Sequence, residues 1–518
     1  MSCFIGIDAG TSGIKVIVLS DRGEIRGTGY QECALITPKP NWVEQNPEDW
    51  WRACDYAVNM AVESCGCKDE IRAIGFSGQM QGCVLLDKEK RLIGNCLIWL
   101  DQRAGAEAEE LSLVMETAEM LDITGNYCLP SFWAAKLIWI KRNQPEVFDR
   151  IDKVLFAKDY LRYKMTGEIA CEVSDASLTF LLDLASRSWS DRMFDAVGLP
   201  RHIVPDTMLE SQDIAGYLKP DIAQAWGLEP GLPVVAGGGD QPVGGVGSGI
   251  VKSGIIGSTI GTSGVVFGCC NKPFVDYKRR AMYSLCHSVP EKYSFLGCTL
   301  GAGGSFRWMR DQFASAQPGD SDDKYSYMTG LAEQAPLGCE GLCFLPYLNG
   351  EATPHVDPDA RGVFFGLSYR HDMGAMYRSV MEGVTFSLRD TIEILRASAG
   401  LNITEVRAMG GGAKSALWRQ IQADVYNASV VTMNVDEGPA AGAAILAGTG
   451  SGYFRSVVEG CDAILRVLTT TDPIAQNVTR YNEYYDTYCQ LYRDLKSTFK
   501  RQAEIVQRDI YSNAFFTD

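Results

Sequence analysis

Apolar and polar positions divide the chain into two kinds of run. Short runs dense in Ile, Val and Phe, bounded by glycine, mark strands. Longer runs with an apolar residue every three or four positions mark helices. Phe4–Leu19 is two apolar runs joined by Gly10-Thr-Ser-Gly13, which predicts a β-hairpin. Gly254–Phe267 is built the same way around Gly261-Thr-Ser-Gly264. Pro47–Glu63 predicts a helix, with Asn46 as its N-cap and Pro47 at its first position. Gln102–Leu121 and Glu382–Ala399 are helical by spacing. From Thr471, above all over Tyr481–Val506, the pattern is that of a charged amphipathic helix. Pro318–Asp323 reads as a loop.

The two hairpins belong to a longer repeat. Ile71-Arg-Ala-Ile-Gly75 is echoed by Val406-Arg-Ala-Met-Gly410, each a short strand ending in a Gly-rich turn. Asp240-Gln-Pro-Val-Gly-Gly245 is echoed by Glu437-Gly-Pro-Ala-Ala-Gly442, each after an apolar strand (Val234-Val-Ala and Val430-Val-Thr-Met). Three echoes in the same order predict two homologous α/β domains, with a boundary near residues 248–256. We assign residues 1–250 to the first domain, 251–455 to the second and 456–518 to a C-terminal helical extension. Asp240 then closes the first half and Gly261 opens the second, so both border the cleft between them.

The 518 residues are enough for two to four domains, and 46% hydrophobic with 22% charged is the composition of a globular chain. The net charge is −16, from 48 Lys and Arg against 64 Asp and Glu. That excludes nucleic-acid or anionic-membrane binding through bulk charge. Ser253–Asn271 is rich in Gly, Ser and Thr and reads as strand and turn, so no membrane span is expected. The N-terminus has no basic region ahead of an apolar one, and Asp8 interrupts its apolar run, so it does not read as a signal peptide. The 17 Cys form no paired C-x-x-C pattern and read as reduced, mostly buried thiols of a cytoplasmic protein.

Glycines at both ends of a tight hairpin let backbone N–H groups point at an anion, and the Thr and Ser hydroxyls add donors. Two such turns from two domains can close on a polyphosphate. Neither is a Walker A loop. Asp8, in an apolar strand, reads as a magnesium carboxylate, with a turn-stabilising role as the alternative. Asp240, after Gly237-Gly-Gly239, reads equally as a helix cap or as a general base for a hydroxyl that attacks a γ-phosphate. Gly410-Gly-Gly-Ala-Lys-Ser415 leaves room for a flat ligand or a phosphate at a helix start.

These stretches, with Ser77-Gly-Gln-Met80, Phe344–Glu351 and Arg361–Leu367, resemble the FGGY family of carbohydrate kinases in family order from residue 4 to about 450. The resemblance implies two actin-like ATPase domains of the ribonuclease H-like kind around a central cleft. Its motifs are most similar to the xylulokinase branch. It implies Asp240 as general base and Asp8 as the residue that helps place Mg2+. Gly10, Thr11, Ser12 and Gly13 with Gly261, Thr262 and Ser263 would cradle the β- and γ-phosphates of ATP. Gly303, Gly411, Gly412 and Ser415 would line the nucleotide pocket. Met80, Gln81 and Gln241 would face the sugar beside Asp240.

The sequence departs from the branch pattern at Gln81, usually His, and at Gln241, usually Asn. It departs from the family signatures at Trp133, three residues before Lys136, and at Ala375; these two read as neutral drift. The expected acceptor is D-xylulose, giving D-xylulose 5-phosphate, with ribulose, L-xylulose, a polyol or gluconate as alternatives. A chaperone-like or filament-forming ATPase is a weaker reading, because it would need neither a cleft-facing carboxylate nor a Ser-Gly-Gln-Met turn; a phosphatase, which would use no sugar acceptor, and a sugar sensor, which would most simply have lost Asp8 or Asp240, are weaker as well. Trp99 reads as core packing rather than as a sugar contact. His287 and His355 receive no role. The C-terminal helix would dock on the first domain or form a homodimer contact.

Overall fold

The computed structural model describes residues 1–277, 281–314, 321–435 and 437–513. The first half begins with β1 (Cys3–Ala9) and β2 (Gly13–Ser20), paired antiparallel as the hairpin pattern predicts, then β3 (Ile25–Glu32). Helix α1 (Pro47–Cys65) is capped by Asn46, whose side chain accepts from the Glu48 N–H. Strand β4 (Ile71–Gly78) runs parallel to β1. Helix α2 (Trp133–Asn143) lies behind the loop that follows β4. Strands β5 (Ile214–Tyr217), β6 (Pro233–Val235) and the two-residue β7 (Gly238–Gly239) complete a sheet of order β5–β6–β4–β1–β2–β3, with β7 also on β4. Helix α3 (Asp240–Gly247) follows directly.

The second half repeats the plan. Its hairpin is β8 (Ile255–Ile260) and β9 (Gly264–Cys270), flanked by β10 (Tyr283–Cys286) and β11 (Tyr293–Thr299). Helices α4 (Gly303–Phe313) and α5 (Met373–Ser398) cover the sheet. Strand β12 (Glu405–Gly410) runs parallel to β8 as β4 does to β1. Helix α6 (Ala416–Tyr426), strand β13 (Ser429–Met433), helix α7 (Gly438–Gly450), strand β14 (Val467–Thr471) and helix α8 (Ala475–Asn513) follow. The sheet order is β10–β11–β9–β8–β12–β13–β14. All three sequence echoes therefore fall on matching elements.

The halves share a core. Ala440–Ala447 of α7 pack with Phe4, Ile17, Leu19 and Ala73 of the first sheet. The backbones touch there: a Cβ on Gly6 would lie 1.9 Å from Ala440 O, and one on Gly247 of α3 would lie 1.8 Å from Gly438 O.

Four expectations about element bounds are corrected. The span 102–121 is two helices, Gly105–Leu111 and Thr117–Thr124. Ser112 turns its hydroxyl back onto Ala108 O, and Glu116 caps the second helix by accepting from the Glu119 N–H. Helix α5 starts at Met373, where Asp372 accepts from the Ala375 N–H. Thr471 ends a strand, and the last helix begins at Ala475. Of the expected loop, residues 318–320 lie outside the described residues, and 321–323 open a helix over Ser321–Gln334.

Helix α8 docks on the second half, not the first. Its tyrosines reach Glu382, Tyr347 and Asp390: Tyr481 OH donates to Glu382 (2.8 Å), Tyr488 pairs with Tyr347 (2.6 Å), and Tyr485 OH donates to Asp390 (2.6 Å). All 17 cysteines are free, and most are buried. Among the described residues no helix is long and apolar enough to cross a membrane.

Candidate functional site

A cavity of about 330 Å3 opens between the halves. Asp240 and Gln241 of α3 line one side; Thr259 of β8, Gly410 of β12, and Gly438 and Pro439 of α7 line the other. Both Gly-Thr-Ser-Gly turns present exposed hydroxyls: Ser12 on the first, Thr262 and Ser263 on the second. Thr11 is half-buried and braced. Trp99 Nε1 donates to its hydroxyl (2.8 Å), and Gln45 Nε2 donates to its carbonyl (2.9 Å). Gln79 ties the brace together by donating to Gln45 Oε1 (2.8 Å). Trp99 is 43% exposed, so it is not a core residue; its indole N–H is spent on the turn rather than on packing.

Asp240 is the first residue of α3, after the extended Gly239. Burial pushes its carboxyl up to about 7, the charge of Asp8 adds to the rise, and the Gln241 backbone and side-chain amides oppose it. Asp8 sits in β1 opposite Lys15 of β2 and beside Ser77 of β4. Burial raises it to about 6 against the pull of Ser77 and Lys15. Its Oδ1 is buried without a hydrogen-bond partner. Lys15 forms an ion pair with Glu437 of the second half.

Among the described residues no cluster of three or more His, Cys, Asp or Glu could hold a metal. A cation here would have a carboxylate and otherwise water or substrate oxygens. That donor set suits Mg2+, which retains its waters and binds substrate phosphates. The orphaned Asp8 Oδ1 fits such a role.

On the first half, Met80 lies against the strand that leads to Asp240: a Cβ on Gly239 would lie 2.7 Å from its Sδ. Gln81 is nearly buried, with φ 67°, a left-handed conformation rare outside glycine. The loop is held from behind. Lys136 Nζ donates to Gln81 O (2.8 Å), and Trp133 Nε1 donates to Gly82 O (2.7 Å). Trp133 is fully buried and stacks on Phe156 with centroids 4.0 Å apart. It is therefore a working part of the loop's support rather than drift.

On the second half, the start of α4 closes on the hairpin. The Ala302 and Gly304 N–H groups donate to Thr262 O, and a Cβ on Gly303 would lie 2.4 Å from Gly261 O. Gly410, at φ 73°, turns the chain around Ile260 O, and Gly412 packs on the Ile260 side chain. Gly411 is exposed beside them. Ser415 stands apart: its hydroxyl caps α6 by accepting from the Trp418 N–H (3.2 Å). The structure thus gathers Gly261, Thr262, Gly303, Gly411 and Gly412, and turns the Ser415 hydroxyl toward its own helix.

Sequence reasoning missed Gln45, Gln79, Lys15 and Glu437 as parts of this site. Glu437 carried a signal as the echo of Asp240, and Gln79 as part of Ser77-Gly-Gln-Met80; Gln45 and Lys15 carried none.

The first half matches the N-terminal domain of the FGGY family of carbohydrate kinases over residues 3–247, and the second matches its C-terminal domain over 257–451. A xylulose kinase of Escherichia coli K12 is 38% identical over 95% of this chain and 99% of its own. One from Bacillus subtilis is 36% identical over 96% and 99%. The crystal structure of a xylulose kinase from Rhodospirillum rubrum superposes with a TM-score of 0.88 at 27% identity, covering 96% of this chain and 99% of that one. Two like halves, a cavity between them with Asp240 on its wall, and matches that run nearly end to end converge: the chain belongs to the FGGY family of carbohydrate kinases.

Proposed function

We propose that this sugar kinase transfers the γ-phosphate of ATP to a hydroxyl of D-xylulose, yielding D-xylulose 5-phosphate. Residues 1–250 hold the acceptor, 251–455 hold the nucleotide, and 456–518 buttress the nucleotide half. The observation that carries this reading is Asp240, a carboxylate without a cation partner among the described residues, on the wall of the cavity between the halves. A general base works best when its pKa lies near the working pH, and Asp240 is raised to about 7.

The acceptor lies beside Met80, Gln81, Trp99 and Gln241, with the hydroxyl that reacts directed at Asp240. The Gln241 amide holds the carboxylate in place, and Asp240 takes the hydroxyl proton as the oxygen attacks phosphorus. The turn amides and the hydroxyls of Ser12, Thr262 and Ser263 face the phosphates and stabilise charge on the phosphoryl oxygens, while Thr11 fixes the first turn through Trp99 and Gln79. Asp8 would hold Mg2+, which supplies charge neutralisation at the phosphates when bound. Closure of the two walls brings the reactants into line and excludes water.

A second acceptor reading is favoured by one feature. Gln81 and Gln241 put uncharged amides, each able to donate and accept, where the acceptor lies. A polyol or sugar acid also fits that chemistry. The test is coupled ADP release with magnesium-ATP and D-xylulose, L-xylulose, the ribuloses, xylitol, ribitol, erythritol, glycerol or gluconate, with a no-sugar control. Strong stimulation by D-xylulose is expected. Stimulation by another acceptor alone would replace the substrate and keep the chemistry. Release that no acceptor stimulates would overturn the assignment.

A further inference from the structure

Lys136 is wholly buried on α2. Its Nζ donates to three backbone carbonyls: Gln81 O (2.8 Å), Leu97 O (2.9 Å) and Ile98 O (3.0 Å). No carboxylate pairs with it among the described residues. A lone buried ammonium is a costly way to hold a chain unless every donor is used, and here all three are. The three carbonyls belong to two loops. One carries Met80 and Gln81. The other carries Trp99, whose indole reaches the first hairpin at Thr11. Lys136 is the point where those loops are joined.

We propose that Lys136 is a positioning residue for the acceptor: its ammonium clamps the Gln79–Gly82 loop to the Leu97–Trp99 loop, so that the Gln81 amide and the Trp99 ring present a fixed wall to the sugar. This rests on the acceptor-site reading above. The clamp needs the charged form. A neutral amine has two donors and a lone pair, and that lone pair would face a carbonyl oxygen. Loss of the third bond frees one loop from the other and loosens the wall, while the second half is untouched and Gln45 still holds the first turn at Thr11 O.

Burial, the largest influence, pulls the Lys136 ammonium down to about 8; the charge of Asp101 opposes it and that of Arg103 adds to it. Burial pushes Cys83 up to about 12 and raises Cys96 as well, so both stay neutral below pH 10. Asp101 and Arg103 are paired with each other at 2.8 Å. Of Lys136, Cys83 and Cys96, only Lys136 changes charge between pH 7 and 9.5. Its folded pKa lies below its unfolded value, so rising pH does not unfold the chain through this group. A fall in acceptor affinity above pH 8 would therefore report the wall and not the fold.

The experiment is a pair of Michaelis series on the full chain, D-xylulose and magnesium-ATP each varied, from pH 6.5 to 9.5. KM for D-xylulose is expected to rise about fivefold between pH 8 and 9, the titration of one group near 8, with KM for ATP within about twofold. Lys136→Met should raise KM for D-xylulose at least ~tenfold at pH 7.5, leave KM for ATP within about twofold, and abolish the rise above pH 8. Two KM values that stay flat or move together in the wild type overturn the proposal, as does a folded K136M with unchanged acceptor KM. If K136M does not fold, the wild-type profile decides. If the wild type answers to another acceptor, the same profile is read with that acceptor, and only the D-xylulose assignment falls. If no acceptor stimulates ADP release, both readings fall.

Discussion

Asp240 and Glu437 occupy the same place in the two halves. Each stands two residues ahead of a proline where a helix begins, after a strand parallel to the one beside the hairpin. Their surroundings differ. Glu437 has Lys15 as its ion partner. Asp240 has no cation partner among the described residues, and its carboxyl is pushed up to about 7. The hairpins explain the difference. Lys15 stands opposite Asp8 across β1 and β2, whereas the residue opposite Thr259 across β8 and β9 is Val265, an apolar side chain on the cavity wall. One half thus neutralises its helix-start carboxylate with a lysine from the other, and the other half leaves its own bare. A duplicated frame supplies two equivalent positions, and the charge placed opposite decides which of them can accept a proton.

The sharpest way to break this comparison is to remove each carboxylate in turn. Asp240→Asn should lower the turnover of acceptor phosphorylation at least ~100-fold, with ATP still binding by calorimetry. Near-normal turnover would show that the bare position is not the base. The comparison can also be reversed by supplying the missing cation. Val265→Lys should pair with Asp240, move the acidic limb of kcat/KM below pH 7 and cut turnover at least ~tenfold, because a paired carboxylate is a weaker base. An acidic limb that stays near 7 would mean the two groups do not meet.

Two further raised carboxyls lie away from the cleft, Glu351 and Asp390, each pushed up to about 7 chiefly by burial. A carboxyl raised on folding contributes stability that is present below its unfolded pKa near 4 and is lost as pH rises to about 7. Urea stability should therefore fall between pH 4 and 7 on account of these groups. Asp390→Asn should flatten that slope by up to ~1.4 kcal/mol per pH unit while keeping an acceptor for Tyr485 OH. An unchanged slope would place the titration elsewhere. The smallest effect belongs to the paired carboxylate: Glu437→Gln should leave turnover within about threefold, since a partly exposed ion pair contributes little. A hundredfold loss there would erase the distinction between the halves.

What the sequence made legible was local or repeated. The hairpins announce themselves because glycine-bounded turns and alternating apolar residues need no distant partner. The echo of Asp240 in Glu437 was visible because Pro242 and Pro439 mark the same helix start. The ion pair that separates their roles was not visible, since Lys15 and Glu437 are more than 400 positions apart. Trp99 misled for a similar reason. Tryptophan is apolar by composition, but its one N–H found Thr11 across the site, and the ring stayed in solvent. Lys136 gave no hint of burial, because nothing in a sequence marks three backbone carbonyls that converge on one point. The break after Leu111 escaped because an apolar period does not show a Ser hydroxyl folding back or a Glu opening the next helix.

The crossing of α3 and α7 bears on how such a chain can be taken apart. Where Gly247 meets Gly438 and Gly6 meets Ala440, main chain touches main chain with no side chain between. Helix α7 is numbered with the second half, yet its alanines finish the apolar face of the first half's sheet. The halves look like two copies of one module, but neither is a module. Cut between residues 248 and 256, the first piece would expose Phe4, Ile17, Leu19 and Ala73 to water, and the second would carry an apolar helix with nothing to lie on. The repeat is a likeness written in the topology, while the unit that folds, and that an engineer could shuffle or express, is the pair.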